Sequence, residues 1–553
     1  MEIGTHPNHT AALVGQPNHS DRLPPELKCV VVRYLANLQD CKSLSLVNKA
    51  WSDVILPIMW ETFNTDLIAS GQRKVYGLAG ANSNIIKYVR KIDLSRRTSA
   101  TTAEDQLPML LAAIPRGQLR AFKGRRGVPA STLKLMLQIH TEIEELKLSA
   151  SNFSELLESA WTAGCFSKLT DLDIYVSAFT RDGLRRIWTE CTRLLHIRMF
   201  PSPNNRPTPL SDEVFALDAK SMDASIKSLE PDVPMKLISL YIWNIALPHT
   251  VDAMLYRINF LALQKLTIDE CINSSALLGA LGTKMTTGRT QLRKLRIVRL
   301  QEETTDDFIQ SILLLLLAFQ GLEQLHIHCY NCAKIAIEGI LNHGETLKCL
   351  VIVNGSIYRE DKDRCMGAAD MQQIAAACPR LEHLCLNLYE IDPDKPEGDV
   401  LGPHPSISFE PTEFEGALSA IATLPSLRIL RFTNAPDYRK AYDRRNRSRL
   451  FDWFTRELER GDQRHAFQAR ADGIMRYLGH RGSNIKVLAF APAETLVKAT
   501  SPDRNGHVWP YYFYNRGKRI DHKMAETAVA VPVADWKSDL GDCVSMRSLA
   551  GRK

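Results

Sequence analysis

One pattern recurs along almost the whole chain: an apolar residue, two variable residues, an apolar residue, one variable residue, a third apolar residue. It appears as Val89-Ile92-Leu94, Ile143-Leu146-Leu148, Leu169-Leu172-Ile174, Leu194-Ile197-Met199, Leu237-Leu240-Ile242 and Leu263-Leu266-Ile268. It continues as Leu292-Leu295-Ile297, Leu322-Leu325-Ile327, Leu347-Leu350-Ile352, Leu381-Leu384-Leu386, Leu427-Leu430-Phe432 and Ile485-Leu488-Phe490. A weaker copy, Leu119-Phe122, ends on Gly124. The common spacing is about 24–30 residues. The last two apolar positions alternate, so they share one face of a short strand, and the first begins the inward turn. Between copies lie helical stripes: Leu156, Leu157, Ala160 and Trp161; Leu184, Ile187, Trp188 and Cys191; Phe414, Leu418 and Ile421. Strand then helix, repeated, predicts an α/β solenoid with parallel strands on the concave side and helices on the convex side. One copy cannot bury its apolar face alone, so the stack supplies the core.

The chain has 553 residues, enough for several domains or one long array. With 45% hydrophobic and 24% charged residues it is neither a disordered chain, a collagen nor a coiled-coil rod. A net charge of +7 over this length gives no argument for nucleic-acid binding. The longest apolar run, Ile312 to Phe319, falls far short of the ~20 residues of a membrane helix, so no membrane partner is expected. Residues 1–20 are polar and read as a disordered tail rather than a secretory leader. The 12 scattered cysteines then read as free thiols in a reducing, intracellular compartment, cytoplasmic or nuclear.

The array is expected over residues 63–500, with insertions near 201–234, 391–411 and 435–484. The first carries Pro201, Pro203, Pro207 and Pro209; the second carries Pro393, Pro396, Gly398, Gly402, Pro403 and Pro405. The third holds a basic cluster from Arg439 to Arg449, read as a solvated face, then a helix with Phe451, Phe454 and Leu458 on one side. Residues 501–553 are expected to cap the array and end in a tail. There Trp509-Pro510-Tyr511-Tyr512-Phe513-Tyr514 and Thr527 to Val533 flank a turn and predict a strand pair over the open end.

Residues 21–62 read differently. Leu23-Pro24-Pro25-Glu26-Leu27 opens a helix, since proline suits the first helical turn. Leu27, Val30, Val31, Tyr34 and Leu35 form one stripe at helical spacing. Asp40 is a suitable N-cap for the next helix. Leu44, Leu46, Val47, Trp51, Val54 and Ile55 supply the apolar faces of a second and third helix. A block this short is near the lower limit for a self-sufficient core, and it carries more apolar surface than three short helices hide, which predicts a partner.

The run Leu23-Pro24-x-Glu26-Leu27, then Tyr34-Leu35, Asp40 and Leu44-x-Leu46-Val47-Asn48-Lys49-x-Trp51, resembles an F-box motif. Val47-Asn48 stands where many members have Val-Cys. The following array resembles the leucine-rich repeats that accompany F-boxes, fungal members in particular. The resemblance implies three helices docking on a Skp-type adaptor, through it a cullin and a RING subunit, and repeats that hold a target protein for ubiquitination. By resemblance the adaptor-binding residues are Leu23, Pro24, Leu27, Leu35, Leu44, Val47 and Trp51.

Alternation places the residues between core positions on the concave face. Successive strands contribute Glu145, Lys147 and Ser149; Asp171, Asp173 and Tyr175; His196, Arg198 and Phe200; Ser239, Tyr241 and Trp243. Then come Lys265, Thr267 and Asp269; Lys294, Arg296 and Val298; Gln324, His326 and His328; His383, Cys385 and Asn387. Tyr175, Phe200 and Trp243 hold equivalent positions, so with Tyr241 they are expected to form a contiguous aromatic patch bordered by Asp173, His196 and Arg198. Aromatic side chains beside arginine are the usual material of a binding hot spot. This patch is the candidate target site, unless the 201–234 insertion folds over it.

Bond chemistry is not expected. His326-Ile327-His328-Cys329…Cys332 is a loose collection of metal-binding residue types, read as strand and turn residues rather than a zinc site. Gly279-x-x-Gly282-Thr283-Lys284 lacks the ending of a phosphate loop. No Gly-x-Ser-x-Gly or His-Glu-x-x-His occurs. The expectation is therefore a non-catalytic receptor without cofactor or metal, with a non-degradative adaptor-bound scaffold or a ligand-sensing solenoid as the alternatives.

Overall fold

The computed structural model describes residues 23–35, 38–64, 85–94, 100–124, 128–148, 164, 166–175, 190–200, 235–245, 247, 255, 258–271, 274–299, 305–329, 333–354, 364–388, 413–433, 461–490, 513–520 and 526–532. It divides into two units, Met1–Ile174 with Ala178–Arg193, and Tyr175–Ser177 with Leu194–Lys553.

The first unit opens with three helices, α1 (Pro25–Tyr34), α2 (Leu38–Ser45) and α3 (Lys49–Met59). Pro25 sits in the first turn of α1 and Pro24, at φ −53° and ψ 148°, directs the chain into it. Asn48 caps α3 by accepting from the Trp51 N–H at 2.9 Å. Asp40 lies inside the first turn of α2 rather than ahead of it, so it complements the helix dipole there instead of capping the helix. Beyond the helices come β1 (Thr62–Asn64), β2 (Lys91–Asp93), α4 (Ala100–Ala113), β3 (Ala121–Gly124), α5 (Ala130–Ile139), β4 (Glu145–Leu148) and β5 (Asp171–Tyr175). The five strands pair in parallel in chain order. Phe63, Ile92, Phe122, Leu146 and Leu172 fall in one registered row and all are buried. Leu94 is only half-buried, since β2 ends one residue before it. His140, completely buried, ties α5 to α4 through Nε2 and the Leu111 carbonyl at 3.1 Å.

The second unit repeats one rung many times. Its parallel strands are β6 (His196–Phe200), β7 (Ser239–Trp243), β8 (Lys265–Asp269), β9 (Lys294–Arg299), β10 (Gln324–Cys329), β11 (Cys349–Asn354), β12 (His383–Leu386), β13 (Ile429–Phe432) and β14 (Val487–Phe490). Leu240, Leu266, Leu295, Leu325, Leu350, Leu384, Leu430 and Leu488 stand in register and each is at most 1% exposed. Between strands run α6 (Ser274–Thr286), α7 (Asp306–Leu317), α8 (Ile337–Leu341), α9 (Ala368–Ala377), α10 (Glu413–Ala422) and α11 (Gly461–His480). Gly282 lets α6 approach α7: a Cβ there would lie 3.2 Å from the Leu315 nitrogen. Asn342, just past α8, closes the C-terminal end of α7. Its Nδ2 donates to the Leu316 and Phe319 carbonyls at 2.9 and 2.7 Å. It thereby satisfies carbonyls that a helix end otherwise leaves without partners.

β15 (Phe513–Ile520) reverses direction against β14, and β16 (Glu526–Pro532) pairs antiparallel with β15. Phe490 and Tyr514 stack edge-on across this junction at 6.2 Å. On the outer side of β16, α11 reaches across. Gln468 Nε2 donates to the Ala530 carbonyl at 2.6 Å and the Ala530 N–H donates to Asp472 Oδ1 at 2.7 Å.

The stripes at 156–161 and 184–188, the insertions at 201–234 and 391–411, the basic cluster at 439–449 and Phe451, Phe454 and Leu458 lie outside the described residues. So do the tail at 1–20 and Trp509 to Tyr512. Within the interval 435–484, however, α11 is an element of the array and buries Ala471, Ile474, Met475 and Leu478.

Candidate docking faces

The helical module has a very small interior. Val32, Cys41, Trp51 and Ile55 form its buried cluster, with Leu23, Leu35, Leu44, Val54, Ile58 and Met59 packed partly against it. α1 turns Lys28 and Val32 inward. The Lys28 ammonium lies 5.5 Å from the centre of the Trp51 ring, with the side chain laid over the indole. The remaining apolar residues of the module face out: Leu27 is 51% exposed, Tyr34 85%, Leu46 85% and Val47 55%, with Val30 and Val31 also exposed.

The residues proposed by resemblance to bind an adaptor therefore divide. Leu27 and Val47 are presented outward, as is Pro24. Leu23, Leu35 and Leu44 are shared between core and surface. Trp51 is 4% exposed and belongs to the interior, so it can shape a docking face but not form one. Val30, Val31, Tyr34 and Leu46 complete the outward apolar set. The sequence marked the first three as a stripe; their exposure follows from a core too small to receive them.

The second face is the polar side of the strands in the second unit. Phe200 sits between Tyr241 and Trp243, with ring centroids 5.7 and 5.9 Å away, tilted to the first and edge-on to the second. All three rings are half-buried. The Tyr241 hydroxyl donates to Asp269 Oδ2 at 3.2 Å, which fixes its ring against the neighbouring strand. Just beyond β7 and β8 the chain turns through left-handed backbone at Asn244 (φ 49°) and Glu270 (φ 58°). Their N–H groups donate to the Asp269 and Val298 carbonyls, both at 2.7 Å, so the rim beside the rings is held by main-chain bonds. His196 and Arg198 lie half-buried on β6. Asp173, on β5 of the first unit, is buried at 9% exposure, and the side chain of Tyr175 is outside the described residues.

Next to the rings the face is cationic. Lys265 and Lys294 stand directly opposite in the β8–β9 register, and Arg296 is one position further along the same face of β9. The Lys265 ammonium is held below its ordinary pKa by burial first, then by Lys294, Arg296 and Arg198. On β10, His326 Nδ1 accepts from the Arg296 guanidinium at 3.0 Å, so its other nitrogen carries the proton. Burial, then Arg296, His328 and Arg431, push His326 far below the usual histidine value. His328 is brought down to about 3 by burial, Arg296 and Arg431. Alternation alone would expose these residues. Instead His326, His328, Cys385 and Arg431 are buried, at 8, 6, 3 and 1%.

Among the described residues no three histidine, cysteine, aspartate or glutamate side chains are grouped to hold a metal ion. Cys329 is fully buried on the core face of β10, pointing away from His326 and His328 by strand alternation, and Cys332 is outside the described residues. The described cysteines are free thiols. Burial raises the thiol pKa of Cys271 to about 12 and of Cys378 to about 11, which leaves neither as a thiolate at neutral pH.

No family model matches the chain, and no curated protein is similar to it in sequence. Among solved structures, it has a distant likeness to a chain of the "Crystal structure of Rad7 and Elc1 complex in yeast". The identity is 14% and the TM-score 0.33, over 70% of this chain and 93% of that one.

Proposed function

We propose that the chain is the target-recruiting subunit of a Skp–cullin–F-box ubiquitin ligase, with the N-terminal helices docking the adaptor and the repeats holding the target. It performs no bond chemistry in this reading. It acts by proximity, raising the effective concentration of a target lysine near the ubiquitin-carrying enzyme. The observation that carries the reading is the outward apolar set Leu27, Val30, Val31, Tyr34, Leu46 and Val47 on a module whose own core is four side chains. Exposed apolar surface on that scale marks an interaction site. The F-box-like order of residues between Leu23 and Trp51 names the kind of partner.

The test is co-purification of the full chain with a Skp-type adaptor and a cullin, beside a Leu27→Asp/Val31→Asp variant. Both substituted side chains are substantially exposed, so the variant is expected to fold and to lose both partners. Adaptor without cullin would replace the ligase by a scaffold of the same two modules. A well-folded wild-type chain that captures neither would remove the adaptor reading altogether.

A further inference from the structure

We propose that the rings of Phe200, Tyr241 and Trp243 form a cage for a quaternary ammonium, the trimethylated side chain of a lysine in the target protein. The inference deepens the receptor reading and rests on it for the identity of this face as the target site.

The rings are a local exception on this side of the sheet. From β8 to β14, no strand residue opposite the leucine row is phenylalanine, tyrosine or tryptophan. On β6 and β7 three such residues come together, on the side away from the completely buried Leu240 and Ile242. All three rings are half-buried, so the core does not consume them. They do not lie flat against one another. Phe200 is inclined at 47° to Tyr241 and at 73° to Trp243, with centroids 5.7 and 5.9 Å away. Tyr241 and Trp243 are two residues apart on one strand, about 7 Å. A point about 4 Å above this triangle therefore lies within about 6 Å of all three centroids, which is the reach of a cation–π attraction.

The charges around the rings select this kind of cation. Asp269 stands directly opposite Trp243 in the β7–β8 register and is 2% exposed. Its Oδ2 accepts from the Tyr241 hydroxyl at 3.2 Å, a bond that polarises the phenol and makes its ring face more negative. Glu270 follows it in the chain and is also buried. The exposed Lys265 and Lys294 stand four residues before the row of Trp243 and Asp269, about 13 Å along the strands and beyond the ~8 Å Debye length of physiological salt. Arg198 and Arg296 are nearer, two residues before that row. Arg296 is engaged by His326 at 3.0 Å, and Arg198 opposes an incoming cation. An unmodified lysine ammonium is strongly hydrated and gains too little from the rings to leave water beside a like charge. Methylation removes its N–H donors, which weakens that hydration and leaves the charge for the rings. The walls are also set in advance, since the Asn244 and Glu270 N–H groups hold the rim through 2.7 Å bonds, and pre-organised groups bind at lower entropic cost.

The probe is a fluorescein-labelled peptide pool with one fixed trimethyllysine and degenerate flanks, titrated into the full chain by fluorescence anisotropy. Matched pools carry unmodified lysine, or the neutral analogue in which carbon replaces the ammonium nitrogen. The trimethyllysine pool is expected to bind roughly ten-fold tighter than either, or more. The neutral analogue has the same shape, so that preference reads the charge. Trp243→Leu keeps an apolar side chain and removes one aromatic face. It is expected to bring the trimethyllysine and neutral pools to within about two-fold of each other. Phe200→Leu is a second variant with the same expectation, and melting temperatures establish that each is folded. Arg198→Gln is expected to tighten trimethyllysine binding, because a like charge is removed. Equal binding of the three pools, no binding, or an unaltered preference in both leucine variants would overturn the proposal. Weaker trimethyllysine binding by Arg198→Gln would overturn it as well. So would capture of phosphatidylcholine vesicles in preference to the peptide, lost in Trp243→Leu, which would assign the rings to a lipid head group. Adaptor capture is measured on the same samples. Its loss with trimethyllysine binding intact would refute the ligase reading alone, and the reverse would refute this inference alone.

Discussion

Lowering the pH from 7 to 5 is expected to destabilise the second unit through histidines that folding keeps neutral. His343 and His328 have folded-state pKa values near 4 and 3, and burial is the leading cause for both. His343 packs against Phe319, ring centroids 4.9 Å apart, and burial outweighs the opposing effect of the nearby Leu316 backbone. The unfolded chain has histidines near 6.5. Between that value and the folded one the unfolded state binds more protons, so stability rises with pH and is lost on acidification. At pH 5 both side chains are still neutral in the fold and almost fully protonated in the unfolded chain. Integrating from pH 7 gives about 2 kcal/mol for each residue, about 4 kcal/mol together. His326 and, in the first unit, His140 are lowered in the same direction, chiefly by burial. The assay is urea denaturation at pH 7 and pH 5, followed by intrinsic fluorescence, on wild type and on His343→Leu. The variant is expected to lose about half of the destabilisation due to this pair. An unchanged pH response would show that His343 is not held neutral by its surroundings, and the reasoning from burial would fail.

Asn342→Ala removes donors to the Leu316 and Phe319 carbonyls and is expected to cost about 2 kcal/mol; a melting temperature within a degree of wild type would contradict its role at the α7 terminus. Gly344→Ala places a methyl group 2.9 Å from the Ala377 carbonyl carbon, a main-chain atom that cannot swing aside. A loss of about 1–3 kcal/mol is expected by calorimetry. Trp51→Ala empties the centre of the helical module and is expected to cost about 3–5 kcal/mol there. Hydrogen exchange over residues 25–59 checks it, with unchanged protection counting against the packing described.

The strands were legible because the repeated triplet states two things at once: where a strand lies and which side faces the core. Leu325 and Ile327, for example, are both completely buried. The helical module was harder to read. Helical spacing grouped Leu27, Val30, Val31, Tyr34 and Leu35 as one stripe without saying which way it faces, and α1 buries Lys28 and Val32 beside it. Periodicity reports which residues share a face; it does not report whether a core exists to receive them. A lysine stem covering an indole has no signature in a hydrophobic pattern. The polar face shows a related limit. Alternation placed His326 and His328 opposite the core, and their burial depends on groups distant in sequence. Tyr241 and Trp243 were recognised as neighbours, but the bond from Tyr241 to Asp269 needs the register of β7 against β8. That Lys265 stands opposite Lys294 likewise needs the register of β8 against β9.

The bonds from Gln468 and Asp472 to Ala530 have a consequence for how copies of this chain behave together. A ladder of like rungs has no built-in length: its last strand invites another strand, whether from the same chain or from a second copy. Here the final strand runs antiparallel to the array's direction, and part of its outward main chain is already engaged by two side chains from α11. At that point an incoming strand finds its donor and acceptor taken. At Ala530, therefore, the last described strand is a poorer template for edge-to-edge pairing than a bare strand would be.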